Sequence, residues 1–143
     1  MKTSSIILIA LALVVATAAA GYADIQIRKG GSMWAEVSSS GTIRINGSIV
    51  GEFSSNGTVR KSGSIVGEVE SGGTIRKSGS IVGQIESNGT FRKSGSIIGA
   101  IESGGTIRKG GSIWGSASSC CGDAYARRAV AAVLVFFSGD FGF

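Results

Sequence analysis

Gly73-Thr-Ile-Arg-Lys-Ser-Gly-Ser-Ile-Val-Gly-Gln-Ile-Glu-Ser-Asn88 is one of five sixteen-residue copies that run without insertion from Gly41 to Cys120. A less regular copy precedes them, from Asp24 to Ser40. A fixed period of this length decides the architecture before any single residue does, because each copy is one supersecondary unit. In register, Gly41, Gly57, Gly73, Gly89 and Gly105 form one glycine column. Half a repeat later stand Asn46-Gly47, Ser62-Gly63, Ser78-Gly79, Ser94-Gly95 and Gly110-Gly111. Asn-Gly and Gly-Gly between apolar runs are hairpin signals, since a type I′ turn needs positive φ at both central residues. Two turns per copy leave a short strand such as Thr74–Lys77 and a longer one, Ser80–Glu86.

Both strands alternate as half-buried strands do. Ile43, Val59, Ile75, Phe91 and Ile107 share one face of the short strands, with Thr and Arg on the other. Strict alternation in the long strand puts Ile81, Gly83 and Ile85 on the core face and Val82, Gln84 and Glu86 opposite. Val50, Val66, Val82, Ile98 and Trp114 then form a second apolar surface that needs cover. The mid-strand glycines, Gly51, Gly67, Gly83, Gly99 and Gly115, mark a bulge or the close approach of another backbone, which explains them better than a ligand contact does.

Around this array lie two different segments. Residues 1–23 read as a secretory leader: Lys2 is the positive start, Ile6–Val15 the apolar run, and small residues about 20 to 23 the cleavage site. The apolar run is short for a membrane span. Export to the periplasm, the envelope or the medium is the expectation. The array proper covers 24–120, and 121–143 form a C-terminal hydrophobic helix and tail. Asp123 is the expected N-cap of a helix to Phe137. That helix is apolar all round yet too short to cross lipid, so it belongs inside protein, packed against or within the array. Met33-Trp34-Ala35 in the first copy and Trp114 in the last replace the usual apolar residues. Bulky end copies suit a closure in which the two tryptophans meet, better than a carbohydrate-stacking surface.

The chemistry available is narrow. The chain has no His, so the commonest general base and metal ligand is missing. Its carboxylates recur uniformly beside arginines, which gives no pair of differently tuned groups. No enzyme, cofactor or metal is expected. There are fourteen Lys and Arg against nine Asp and Glu; without Lys2 the balance is thirteen to nine, or +4. Arg44, Arg60, Arg76, Arg92 and Arg108 form one basic column, with Lys61, Lys77, Lys93 and Lys109 beside it. A closed sheet would turn these into a positive ring, and the arginines are the candidates for contact with a polyanion. Pairing with the Glu column on a solvated surface is the preferred reading, and no aromatic interleaving supports nucleic-acid binding. Cys120 and Cys121 are adjacent: a disulfide is permitted after export, either with each other or with another chain. They stay open as a structural or redox pair.

The repeat Gly-Thr-Ile-Arg-x-x-Gly-x-Ile-Val-Gly-x-Ile, with its phenylalanine-rich apolar tail, resembles the bacterial β-flower proteins in their five-fold version. The likeness runs from about Ile25 to Phe137. It implies hairpins radiating about an axis in a small exported or envelope protein, and it carries over no functional residue. The expected fold is mainly β: hairpin repeats in a closed ring, with one helix against or inside it. The expected role is a non-enzymatic structural or binding module, with envelope or cell-surface association and self-association as its candidate contacts. The alternative is a polymer-forming or surface-binding β-solenoid, like a bactofilin, or a face for ice or carbohydrate built on the column Thr42, Thr58, Thr74, Thr90 and Thr106.

Overall fold

The computed structural model of the chain describes residues 23–143. The expected leader lies outside them, apart from Ala23. Each copy folds as two strands: β1 Ile25–Lys29 and β2 Ser32–Val37, β3 Thr42–Ile45 and β4 Ser48–Phe53, β5 Thr58–Lys61 and β6 Ser64–Val69. The series continues with β7 Thr74–Lys77 and β8 Ser80–Ile85, β9 Thr90–Lys93 and β10 Ser96–Ile101, β11 Thr106–Lys109 and β12 Ser112–Ala117. Every strand pairs with its sequence neighbours, and β1 pairs antiparallel with β12 through Ile27 and Ala117 to close a twelve-stranded barrel. The ring therefore holds six hairpins, one more than a five-fold flower, because the irregular first copy is a full member. The described pairings are antiparallel, whereas solenoid rungs stack in parallel.

The two ends of the barrel are built differently. At one end, the tip end, two-residue turns carry φ of 50° and 84° at Asn46-Gly47 and 51° and 83° at Ser78-Gly79. At the other, the loop end, a four-residue loop closes through Gly73 N–H donating to the Glu70 carbonyl at 2.8 Å. Gly73 holds φ of +90°, and a Cβ there would run into the Ile85 carbonyl, so the column accepts glycine alone. The tips are less constrained. Ser62, Ser78 and Ser94 sit in the left-handed region, which asparagine tolerates better. Replacing the three with Asn is expected to stabilise the fold by roughly 0.5 kcal/mol each. An unchanged denaturation midpoint in the triple variant would count against this account of the turns.

The long strands depart from strict alternation. Arg76 pairs with Ile81 while Ile75 pairs with Gly83, so Val82 is the extra residue of a β-bulge. The same shift recurs in every hairpin. A bulge reverses which way the residues beyond it face. Val50, Val66, Val82, Ile98, Trp34 and Trp114 therefore pack against the core, on the same side as Ile75 and Ile85. Ile49, Ile65, Ile81, Ile97 and Ile113, expected on the core face, point outward instead. There is one apolar interior, not two surfaces.

Helix α1, Ala124–Val133, fills that interior. The Asp123 carboxylate caps it as expected, accepting the Ala126 N–H at 2.7 Å. Ala129, Val130, Ala131, Ala132, Val133 and Leu134 are wholly buried, and the helix touches β1, β6, β8 and β10 around the ring. It enters at the loop end, where Cys121 N–H donates to the Ser103 carbonyl at 2.9 Å. A π-helical turn, Leu134–Ser138, widens its last turn, with Ser138 Oγ donating to the Leu134 carbonyl at 2.6 Å. The tail emerges at the tip end. There Phe137, Phe136 and Phe143 lie where side chains would project from Gly51, Gly67 and Gly83. The mid-strand glycines are thus a packing requirement. Trp34 and Trp114 meet edge-to-face, their ring centroids 5.7 Å apart, beside the closing seam.

Candidate functional site

The tip end gathers three concentric features of the repeat. Innermost is an aromatic floor of Phe136, Phe137, Phe141 and Phe143 with the two tryptophans. Phe91 stacks on Phe143 at 5.5 Å, and Trp114 lies 5.6 Å from Phe141. The short strands' last residues place lysines around the mouth. Lys29, Lys61 and Lys93 each reach 5.7 Å from the centroid of a ring on this floor: Trp114, Phe137 and Phe143. Lys93 Nζ also donates to the Gly142 carbonyl, tying down the tail. Lys77 and Lys109 complete the lysine row, whose place in the β3 strand is taken by Ile45.

One carboxylate stands in this basic mouth among the described residues. Asp140 accepts from Lys29 Nζ at 2.5 Å and from Trp114 Nε1 at 3.0 Å. These two hydrogen bonds, the Lys29 one first, hold its carboxyl below the ordinary aspartate range. Asp140 fastens the tail to the seam.

Outermost stands the apolar crown that the bulges create. Ile49, Ile65 and Ile81 are each 62% exposed, Ile97 63%, Ile113 67% and Met33, their counterpart in the first hairpin, 43%. All six occupy the same register position, one residue past the first residue of the long strand, so they form a ring at one height. Scattered exposed apolar side chains are ordinary, but six on one contour are a patterned surface. Shallow grooves between hairpins join this crown to the arginine column. One groove sets Ile81 and Gly83 beside Arg92, and the next sets Ile97 and Gly99 beside Arg108.

The arginines divide into two groups. Arg76, Arg92 and Arg108 donate through Nε to Glu70, Glu86 and Glu102 at 2.5, 2.6 and 2.8 Å. Each also reaches a carbonyl of its own hairpin tip: Gly79, Gly95 and Gly111. This is the Glu pairing expected of a solvated surface, worth little to stability. Arg44 and Arg60 lie in the same column, where Ser38 and Ser54, respectively, replace the glutamate. Cys120 and Cys121 are far from the tips, at the loop end, and are bonded to each other. Near them a small cleft is lined by Ser71, Gly73, Ser87, Arg127 and Arg128. The Arg128 guanidinium is already committed there to the Val69 carbonyl, at 3.2 and 3.3 Å.

The crown is what reading the sequence missed. Its signal was present in the mid-strand glycine, which marks a bulge as readily as a close approach. Here it marks both.

Comparison with known proteins returns no matching family model, no significantly similar curated sequence and no significantly similar solved structure. Among the described residues no helix is long and apolar enough to cross a membrane.

Proposed function

We propose that the chain is an exported, non-enzymatic binding module that docks through its hairpin tips, on the β-flower plan of hairpins about a central axis. The observation that carries this reading is the ring of exposed isoleucines at one height. Such a surface costs solubility and adds nothing to the core, so a docking role accounts for its repetition as isoleucine in five hairpins and as Met33 in the sixth. The plugged axis supports binding on the outside of the barrel in preference to chemistry within it. Export would place Cys120 and Cys121 in an oxidising compartment, where a disulfide between them is permitted.

The test uses the full chain, expressed with its leader in a Gram-negative host. Mass spectrometry should find the exported protein shortened by about 20 residues. Isolated envelopes should retain it. The pair Ile81→Ser and Ile97→Ser should release it, while the loop-end pair Glu86→Gln and Ser87→Ala should not. Equal retention of both pairs, or recovery of the uncut chain from the cytoplasm, would defeat the proposal.

A further inference from the structure

We infer that Asn46 is a covalent modification site: it loses its amide to the backbone of Gly47 and becomes aspartate or isoaspartate, while Asn56 and Asn88 keep theirs. Neither the site nor its test depends on the docking reading. The chain supplies its own comparison, because each of its three asparagines is followed by glycine. The reacting pair is the same in all three, so the fold decides between them.

The nucleophile differs first. Gly47 N–H donates to no group among the described residues. Gly57 and Gly89 N–H donate to the Ser54 and Glu86 carbonyls, each at 2.9 Å. A nitrogen held in this way must first give up a bond made within the folded loop. The electrophile differs as well. The exposed Asn46 side chain makes no hydrogen bond among the described residues. Asn56 Oδ1 accepts the Thr58 N–H at 3.1 Å and Asn88 Oδ1 the Thr90 N–H at 3.0 Å, which fixes each carboxamide in its loop.

Room to move is the third difference. Ring closure swings the following peptide about the asparagine Cα–C bond. Gly47 is exposed, with open space where a Cβ would stand. Gly57 and Gly89 are buried against the Val69 and Ile101 carbonyls. Even among the tips this one is loosely held. Arg76, Arg92 and Arg108 each donate to the carbonyl of their own tip glycine, whereas Arg44 makes no such bond to Gly47.

The reaction needs water alone. Hydroxide takes the Gly47 amide proton, and the nitrogen attacks Asn46 Cγ. The N–Cγ bond forms, the Cγ–Nδ2 bond breaks, and the amide leaves as ammonia after gaining a proton from water. Water then opens the succinimide at one of its two carbonyls, giving aspartate or isoaspartate. A groove between the first two hairpins is lined by Met33, Glu36, Arg44 and Asn46, so its one carboxylate and one guanidinium would be joined by a second carboxylate. Isoaspartate also adds a backbone carbon to a two-residue turn whose twist matches its strands. The other tips carry Ser62, Ser78, Ser94, Gly30 and Gly110 at this place, so the change marks one hairpin of the six.

The purified protein is incubated at mildly alkaline pH, folded and in urea, and fragment mass spectra assign each lost amide. In the folded protein Asn46 should react about tenfold or more faster than Asn56 and Asn88, which react only when their loops open. In urea the three should react alike. Ser62→Asn places the same pair on the other tip whose carbonyl no arginine holds, and should react at close to the Asn46 rate. Asn46→Ser should abolish the more acidic species that ion exchange separates from aged protein. The inference is overturned if folded Asn46 keeps its amide as long as Asn56 and Asn88. It is equally overturned if its lead persists in urea, if Ser62→Asn stays intact while Asn46 reacts, or if Asn46→Ser leaves the acidic species in place.

Discussion

A chain ended before Asp123 is expected to lose its cooperative unfolding transition altogether. The barrel without α1 would enclose an apolar lumen lined by Ile27, Ile43, Phe53, Val59, Val69, Ile75, Phe91, Ile101 and Ile107, all wholly buried now. Burying one large aliphatic side chain contributes about 1.5–3 kcal/mol. The helix brings Val130, Val133 and Leu134, each fully buried, and their loss alone approaches the entire stability of a small domain. A point variant asks the same question without removing chain. Leu134→Ala should cost about 2–5 kcal/mol, because a rigid ring of strands cannot collapse onto the space left behind. Thermal melts followed by circular dichroism, with size-exclusion chromatography for aggregation, read both results. A truncated array that stays monomeric and melts where the full chain does would mean that the ring holds itself up.

The second large effect is expected at a residue with no side chain. Gly67→Ala should destabilise the fold by about 3 kcal/mol. A Cβ at this position would collide with the Arg76 carbonyl of the neighbouring strand and with the Phe136 ring. The carbonyl belongs to the sheet and the ring to the plug, so neither can withdraw without loosening the other. Gly72→Ala is the control: it has open space around it and is expected to cost no more than about 0.5 kcal/mol. Urea titration of the two variants compares them directly. Equal midpoints would refute the close-approach account of the mid-strand glycines.

The elements were readable because they are local. Turn pairs such as Asn46-Gly47, four-residue strands such as Thr74–Lys77 and the Asp123 cap depend on neighbours in sequence. The ring and its plug followed from bulk matching: an all-apolar helix needs a wall, and short hairpins of equal length close most simply on themselves. The orientation of Ile81 was not readable by alternation. One extra residue at Val82 sends it outward, and alternation has no means of placing that residue. The crown, and with it the candidate site, depended on this single shift. The sixth copy was legible from its length and glycine pair in spite of Met33-Trp34-Ala35, and it is the five-fold likeness that implied one hairpin too few. The convergence of Asp140, Lys29 and Trp114 joins three segments distant in sequence, so no window of the chain contains it.

The seam between β1 and β12 bears on how fast the molecule can form. Each hairpin, and each junction between adjacent hairpins, joins residues within a repeat or two of one another. The seam joins Ile27 to Ala117, about ninety residues along the chain. Loop-closure entropy grows only as the logarithm of that span, but it must be met before the seam's own bonds reward it. The array can therefore assemble quickly from local contacts while ring closure, and the seating of the plug that follows the last strand, form the slow step. Until then β1 and β12 each have an unpaired edge, and a second unfinished chain offers each of them the same strand partner in another copy.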